Sequence, residues 1–354
     1  MTGSRLRMLT FVVICLGAVV IGVGAILKAR ADEEELVQSS PAVPVVSAAP
    51  NELGPDPMLL FSSTSLGDKF GALATLPLDG TEGPRALVDL DCERVHYRNG
   101  RGICLHSDRG FVTTHEAIVF DGRGQPVHTV PLAGSPSRTK VASSGRVGAI
   151  TVFVTGHSYA QGGFSTQTTI IDLLAGTTIT DLEADFTIFR DGKQWRKLDF
   201  NFWGVTFVDD GTFYATLGSG GEAYLITGDI AKREATVVRA GVECPSLSPD
   251  GSRLVYKQRV SSGLGPITWR LAVLDLDSGD TTLLAETRNV DDQVEWLDDK
   301  TVMYGLPAEG STAEIDTWAV PADGSGSPRL VVPRASSTTI VDAESAAHGV
   351  DETP

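Results

Sequence analysis

Cysteine is scarce in this sequence of 354 residues: there are four, and one of them, Cys15, lies in an apolar N-terminal run. No Cys-x-x-Cys or His-x-x-x-His spacing occurs, so the patterns typical of zinc sites are missing and we expect no bound metal. A Gly-x-Ser-x-Gly elbow and a phosphate loop opening a helix are also missing. The sequence therefore predicts no catalytic residue and no cofactor.

Positive charge is also in short supply. Lys and Arg number 29 against 45 Asp and Glu, which gives a net charge of −16. Four of the positive charges lie in the first 30 residues, so the remainder of the chain stands near −20. Binding of a phosphate backbone requires clustered Lys and Arg, and we expect no nucleic-acid partner. The acidity suits solubility in an exterior compartment; attraction of basic partners or cations is the alternative.

Long apolar runs are confined to the N-terminus. Residues 8–27 form a run of 20 residues without charge, preceded by Arg5 and Arg7 and followed by Lys28 and Arg30. The run can cross about 30 Å of hydrocarbon as a helix. The flanking charges predict a single-pass cell-membrane protein with the N-terminus inside and the C-terminal domain extracytoplasmic. Residues 1–31 would be the signal anchor, and the alternative is a signal peptide with secretion after cleavage following Ala31.

An acidic and Pro-rich segment comes next. It begins with the cluster Asp32-Glu33-Glu34-Glu35 and contains five prolines between positions 41 and 57. Such a composition cannot bury a core and favours extended conformers, so we predict a linker over 32–57 that holds the folded domain off the membrane. At the other end of the chain, residues 342–354 are predicted to be a disordered tail.

The sequence does contain a hairpin signal that recurs six times. At each occurrence an aspartate and a glycine lie within a few positions of each other, between two short apolar or β-branched segments. The aspartates are Asp79, Asp121, Asp172, Asp229, Asp277 and Asp323. Their intervals are 42, 51, 57, 48 and 46 residues, close to the length of one four-stranded propeller blade. We predict an all-β fold, a six-bladed β-propeller of four-stranded blades over 58–341. The apolar segment 336–341 has no repeat of its own and is predicted to close the first blade.

One repeat carries a resemblance to a known family. Residues 244–256 read Cys-Pro-Ser-Leu-Ser-Pro-Asp-Gly-Ser-Arg-Leu-Val-Tyr, and an Asp-x-x-x-Gly hairpin follows at 275–279. This pattern resembles the repeat of TolB-like propellers; the other five repeats match in spacing and hairpin chemistry only. The resemblance implies an exported envelope propeller that makes protein contacts. The N-terminal partner domain of periplasmic TolB proteins has no room here, so the partners of that family are not carried over.

Two exported cysteines are candidates for a disulfide. Cys92 and Cys104 are separated by 11 residues that contain a strong turn signal, Asn99-Gly100, so two strands folding back there would bring the sulfurs together. In an oxidising compartment we expect them to pair. The alternative is two separate buried thiols. Cys244, at the start of a predicted inner strand, is expected to be a small buried side chain.

An aromatic concentration near residue 200 is the remaining candidate site. Trp195, Asp199, Asn201 and Trp203 could form a binding surface at the propeller mouth, where aromatic faces and polar groups suit a sugar or peptide. Alternatively, the rings seal the fourth repeat against its neighbours. We predict a protein-interaction platform with a partner protein of the cell envelope; the alternative is a propeller enzyme or a small-ligand or sugar sensor that uses the central channel.

Overall fold

The computed structural model describes residues 2–39, 43–47, 53, 57–81, 83–154, 165–260 and 267–341. One long helix, α1 (Thr2–Ser39), precedes a domain built almost wholly of strands. The predicted tail over 342–354 lies outside the described residues.

Helix α1 carries the apolar run. Its segment Arg7–Asp32 is long and apolar enough to cross a membrane, and none of it is buried against the rest of the protein. Large apolar side chains are exposed on all sides of it, including Phe11, Ile14 and Ile21. A helix that is apolar all round requires an apolar environment. An apolar helix is thus present where the sequence predicts the anchor.

The strands form six sheets, which follow one another along the chain as blades. The first blade contains β1 (Val45–Ser47), β2 (Met58–Ser63), β3 (Ala72–Pro77) and β4 (Arg85–Asp91). The second contains β5 (Arg94–Arg98), β6 (Arg101–Arg109), β7 (Thr113–Asp121) and β8 (Pro126–Pro131). The third contains β9 (Ser135–Val141), β10 (Val147–Val154), β11 (Ser165–Asp172) and β12 (Thr177–Asp181), which leads into the short helix α2 (Leu182–Asp185).

The fourth blade has two additional strands, β13 (Thr187–Arg190) and β14 (Lys193–Trp195), outside β15 (Asn201–Phe207), β16 (Thr212–Ser219), β17 (Glu222–Asp229) and β18 (Glu234–Ala240). The fifth contains β19 (Glu243–Leu247), β20 (Arg253–Arg259), β21 (Trp269–Asp275) and β22 (Thr281–Leu283). The sixth contains β23 (Glu295–Asp298), β24 (Thr301–Pro307), β25 (Ile315–Pro321) and β26 (Arg329–Val332). The predicted six-bladed β-propeller is confirmed.

The C-terminal strand joins the two ends of the ring. β27 (Ala335–Val341) pairs antiparallel with β2, with Val341 opposite Met58, and is the innermost strand of the first blade. This pairing removes the unpaired sheet edges that an open ring would leave.

Arg85 fastens this closure. Its guanidinium is fully buried, donates to Ser63 Oγ at 3.3 Å and to Arg334 O at 2.9 Å, and also donates to Pro333 O. It lies over the ring of Phe61 at 5.0 Å. One side chain of β4 thus joins β2 to the residues that lead into β27.

The linker differs from the prediction over 32–57 in two respects. Helix α1 continues to Ser39, and β1 pairs in parallel with β4, where Arg85 N donates to Pro44 O at 2.9 Å. Leu53 is only 3 % exposed, in an apolar cluster with residues of the first two blades. The edge of β4 offers unpaired backbone groups that a short apolar segment can satisfy, which explains this docking.

The alternation of strand direction defines two faces. The loops between blades, and those between the second and third strands of a blade, lie on one side, which we call the upper face. The turns between the first and second strands and between the third and fourth lie on the opposite side, which we call the hairpin face.

Aspartates close the turns of the hairpin face. Asp121 Oδ1 accepts from the backbone N–H groups of Arg123 and Gln125, both at 2.9 Å. Asp172 Oδ1 likewise accepts from Leu174 N at 2.8 Å. This side-chain bond to the backbone two residues on is the reason that aspartate favours such turns. The aspartates that recur in the sequence therefore mark the turns of the hairpin face, because their side chains close these turns.

The predicted disulfide is confirmed. Cys92, in the loop after β4, is bonded to Cys104 on β6, with Cα atoms 5.2 Å apart. The bond ties the first blade to the second. Cys244 has a buried free thiol.

Candidate functional site

Basic side chains enter the central channel in an alternating pattern. Successive side chains of a strand point to opposite faces, so residues two apart share a face. On β5 these are Arg94, His96 and Arg98, and on β9 they are Arg138 and Lys140; all five line the cavities along the axis. The sequence analysis missed this set, although basic residues spaced by two within short apolar strands are a signal that could have found it.

A single carboxylate binds three of these side chains. Glu295, on β23, accepts from Arg98 and from Lys140, and His96 Nε2 lies 3.3 Å from Glu295 Oε2. Lys140 Nζ also donates to Ser246 Oγ at 3.3 Å. His96 is 4 % exposed, and Lys140 and Glu295 are 8 % exposed each. We call this group the Glu295 cluster; it links the second, third, fifth and sixth blades at the axis.

The electrostatics of the Glu295 cluster are set by competition between burial and charge. Burial raises the pKa of Glu295, but the charges of Lys140 and Arg98 and the contact with His96 outweigh it and hold the pKa well below its ordinary value. Burial, together with Lys140, lowers the pKa of His96 to about 3. His96 Nδ1 accepts from Val141 N at 3.1 Å, so the neutral ring carries its hydrogen on Nε2, the nitrogen that lies nearer to Glu295.

The carboxylates nearer the upper face are also paired. Asp292 accepts from Arg94 at 3.0 Å and from Gly305 N at 3.1 Å. Asp291 accepts from Lys257 Nζ at 2.5 Å. Within the described part of the chain, no group of three or more His, Cys, Asp or Glu side chains could hold a metal ion. Because each of these acids neutralises a cation from another element, the pairs cross-link the ring.

Two cavities open on opposite sides of the Glu295 cluster. The one at the upper face has a volume of about 680 Å³ and is lined by residues that include Phe70, Asp91 and Asp291. The one at the hairpin face has about 690 Å³, with Lys140 and Glu295 at its inner end. Between them lies a space of about 30 Å³, room for roughly one water molecule. The ion pairs therefore divide the channel into two separate mouths.

The four candidate residues near position 200 are engaged in contacts within the propeller. Trp195 packs edge-on against Phe200 and Tyr224, with ring centroids 5.0 and 5.3 Å apart. The Asp199 carboxylate accepts from Ser219 Oγ at 2.8 Å and from Gly220 N at 2.7 Å, which closes the loop between β16 and β17.

The other two lie at the start of β15. Asn201 Oδ1 accepts from Thr166 N of the third blade at 2.9 Å. The Trp203 ring covers Gly218 so closely that a Cβ there would lie 2.7 Å from it. Among the described residues that line the two mouths, none of the four candidates occurs. The structure thus brings them into one region, where they pack against neighbouring residues and close a loop; the binding surface stays a prediction.

No protein-family model matches this chain, and no curated protein matches it. Among solved structures, TolB from Acinetobacter baumannii is similar, with a TM-score of 0.53 and 14 % identity over 80 % of this chain. The fold is that of a TolB-like propeller. The matched region spans 66 % of the TolB chain, and at this identity the likeness concerns the fold alone.

Two further solved structures show a weaker similarity. A chain of a nidogen/laminin complex has a TM-score of 0.49 and 13 % identity, covering 80 % of this chain and 98 % of that one. A puromycin-hydrolyzing peptidase of Mycobacterium tuberculosis has a TM-score of 0.45 and 13 % identity, covering 78 % and 43 %. Neither of these two similarities carries an argument about this protein.

Proposed function

We propose that this protein is a membrane-tethered, extracytoplasmic TolB-like propeller that serves as an interaction platform for another protein of the cell envelope. The partner would bind at the hairpin face and would present a basic surface. The observation that carries the proposal is the distribution of charge: the carboxylates of the channel are neutralised inside the molecule, whereas those of the hairpin face are directed outwards.

The hairpin face is acidic. Its described turns, taken with the strand residue on either side of each, carry thirteen aspartates and Glu234 against nine exposed or half-exposed Lys and Arg, and every one of these aspartates is exposed or half-exposed. They are Asp79, Asp121, Asp172, Asp209, Asp210, Asp229, Asp250, Asp275, Asp277, Asp280, Asp298, Asp299 and Asp323. A concentrated field of one sign steers partners of the opposite sign and speeds their association.

The turn contacts favour the ionised form of two of these aspartates, Asp209 and Asp323. The backbone N–H of Gly211 and the Thr212 hydroxyl lower the pKa of Asp209. Hydrogen bonds from Ser325 lower the pKa of Asp323 in the same way. Both carboxyl groups are therefore stronger acids than an ordinary aspartate.

Two further observations support an exterior location. Helix α1 is apolar over a length that can cross a membrane. The Cys92–Cys104 disulfide belongs in an oxidising compartment. Together they favour an anchored protein with the propeller outside the cytoplasm.

Cross-linking of the full chain in its native membrane, followed by mass spectrometry, tests the proposal. The test variant replaces Asp121, Asp172 and Asp323 by Asn, which keeps an oxygen acceptor for each turn and removes three charges. We expect one reproducible partner with the unmodified chain, weaker recovery at higher salt, and at least a severalfold loss with the test variant.

The matched control removes three charges from the upper face by Asp68→Asn, Glu222→Gln and Glu309→Gln, all of which are exposed. It should recover the partner as well as the unmodified chain does. Equal loss with both variants would indicate a general charge effect and contradict the hairpin-face assignment. Loss of recovery on addition of a chelator would favour the channel alternative.

A further inference from the structure

Exposed apolar side chains on loops are concentrated on the upper face. Six large ones lie there, and we call them the apolar rim: Phe70, Phe111, Val112, Leu198, Val260 and Ile267. The described loops of the hairpin face have two, Leu174 and Val208, which are 39 % and 47 % exposed. Phe111 is fully exposed, and Leu198 is 79 % exposed.

The arrangement of the apolar rim matters more than the number of its members. Single exposed apolar residues are common on soluble proteins and need no explanation. Here Phe70 comes from the first blade, Phe111 from the second, Leu198 from the fourth and Val260 from the fifth. Loop tips on one side of a ring can meet a flat surface together.

Each of these four loops places an exposed cation beside its apolar tip. Lys69 precedes Phe70, Arg109 precedes Phe111, Lys197 precedes Leu198 and Arg259 precedes Val260. Asp68, Asp108 and Glu93, the last paired with Arg109 at 2.7 Å, offset part of this charge. Long cationic side chains suit a membrane interface because their stems lie along the apolar layer while their charge stays among the headgroups. The hairpin face, with its excess of aspartates, would be repelled there.

The membrane anchor ends next to the apolar rim. Val37, near the end of α1, has its Cγ1 atom 3.5 Å from the position of a Cβ at Gly67, which lies in the same loop as Phe70. The helix extends 12 residues beyond Leu27, which corresponds to about 18 Å. The upper face is therefore within reach of the bilayer that α1 would cross.

We propose that the apolar rim docks on the surface of the lipid bilayer. Phe111, Val112, Phe70 and Leu198 enter the headgroup boundary, and the adjoining cations lie among the headgroups. The inference rests on the membrane tether of the proposed function. Docking in this way turns the upper mouth towards the lipid and the acidic hairpin face towards the partner.

Fluorescence quenching by brominated phosphatidylcholine tests this proposal with the full chain in nanodiscs. Phe111→Trp adds an indole at the apolar rim, and Leu174→Trp adds one at the hairpin face as a matched control. We expect the emission added at position 111 to shift to shorter wavelength and to be quenched in brominated nanodiscs. The emission added at position 174 should be the same in brominated and ordinary lipid.

A second variant keeps the test informative if one tryptophan is poorly tolerated. Adding Phe70→Ser and Leu198→Ser to Phe111→Trp should reduce the quenching severalfold, because the loops dock together. Equal quenching at positions 111 and 174 overturns the docking while leaving the anchored platform intact, provided the chain floats with the nanodiscs. A chain that does not float with lipid overturns the membrane tether, and the docking with it.

Discussion

Replacing Glu295 by glutamine tests the central ion cluster most directly. The substitution keeps the shape of the side chain and removes the negative charge that faces Arg98 and Lys140. Lys140 is 8 % exposed, so its ammonium group cannot regain full hydration. Removal of one partner from a buried ion pair costs about 3–5 kcal/mol, since it leaves an uncompensated charge. We expect the free energy of unfolding at pH 7 to fall by about that amount.

The pH dependence of the loss identifies its cause. Burial already lowers the pKa of Lys140, and without Glu295 this pKa falls further. A lysine whose pKa is lower in the folded than in the unfolded state destabilises the fold fully below the folded pKa, and this penalty decreases as the pH rises from the folded to the unfolded pKa. The difference between Glu295→Gln and the unmodified chain should therefore shrink as the pH is raised. Adding Lys140→Met should recover part of the loss, with a coupling of about 0.5–3 kcal/mol.

Chemical unfolding of the full chain in mild detergent supplies the measurement. Trp296, next to Glu295, is 2 % exposed and reports the opening of the ring by its fluorescence. A loss of 3 kcal/mol corresponds to a fall in Tm of about 6 °C or more. Glu222→Gln, at an exposed site, should stay within about 0.5 kcal/mol of the unmodified chain. If Glu295→Gln is as stable as this control, the cluster does not hold the blades together.

Three further predictions concern the rest of the ring. Arg85→Lys loses hydrogen bonds that the guanidinium makes where the ring closes, and it should lower the free energy of unfolding by about 2–3 kcal/mol and speed hydrogen exchange in β27. Arg329→Lys, at an exposed site, should change neither quantity. Burial raises the pKa of Glu286, but Arg288 and Tyr304 outweigh it and lower the pKa to about 2, so its contribution to stability is present above about pH 4.5 and lost as the pH falls. Glu286→Gln should therefore reduce the loss of Tm between pH 6 and pH 3, and an unchanged slope would contradict this. Cys92→Ala with Cys104→Ala should cost about 3 kcal/mol, and a reducing agent should then have no further effect on Tm.

The features that depend on contacts between residues near in the sequence were predicted correctly from it. The hairpin turns depend on an aspartate that bonds two residues ahead, as Asp121 does with Arg123, so a local pattern was sufficient to count the blades. Even there, the turn of the fifth blade is closed by Asp275, which accepts from Asp277 N at 3.1 Å, rather than by Asp277 itself. The one-turn separation of Cys92 and Cys104 likewise made their pairing predictable.

The structure of the linker and of the channel was harder to predict because the residues that contact each other there are far apart in the sequence. The segment of β1 was predicted to be part of an unstructured linker because the strand that it pairs with, β4, is distant in the sequence: Val45 pairs with Arg85, 40 positions later. Lys140 and Glu295 are 155 positions apart and meet only after six blades have closed into a ring. Nothing near Glu295 distinguishes it from an ordinary surface charge, and the two-residue spacing of Arg138 and Lys140 does not identify the carboxylate that they meet.

The sequence by itself thus determined the apolar helix, the number of blades and the disulfide, because each depends on composition or on contacts between near neighbours. Only the tertiary structure decided where the charges go. Ring closure turns one set of side chains towards the axis, where Glu295 must neutralise buried cations, and separates the acidic hairpin face from the apolar rim. Burial and long-range proximity are properties of the closed ring, and they place residues that look alike in the sequence in the Glu295 cluster, on the acidic hairpin face or beside the apolar rim.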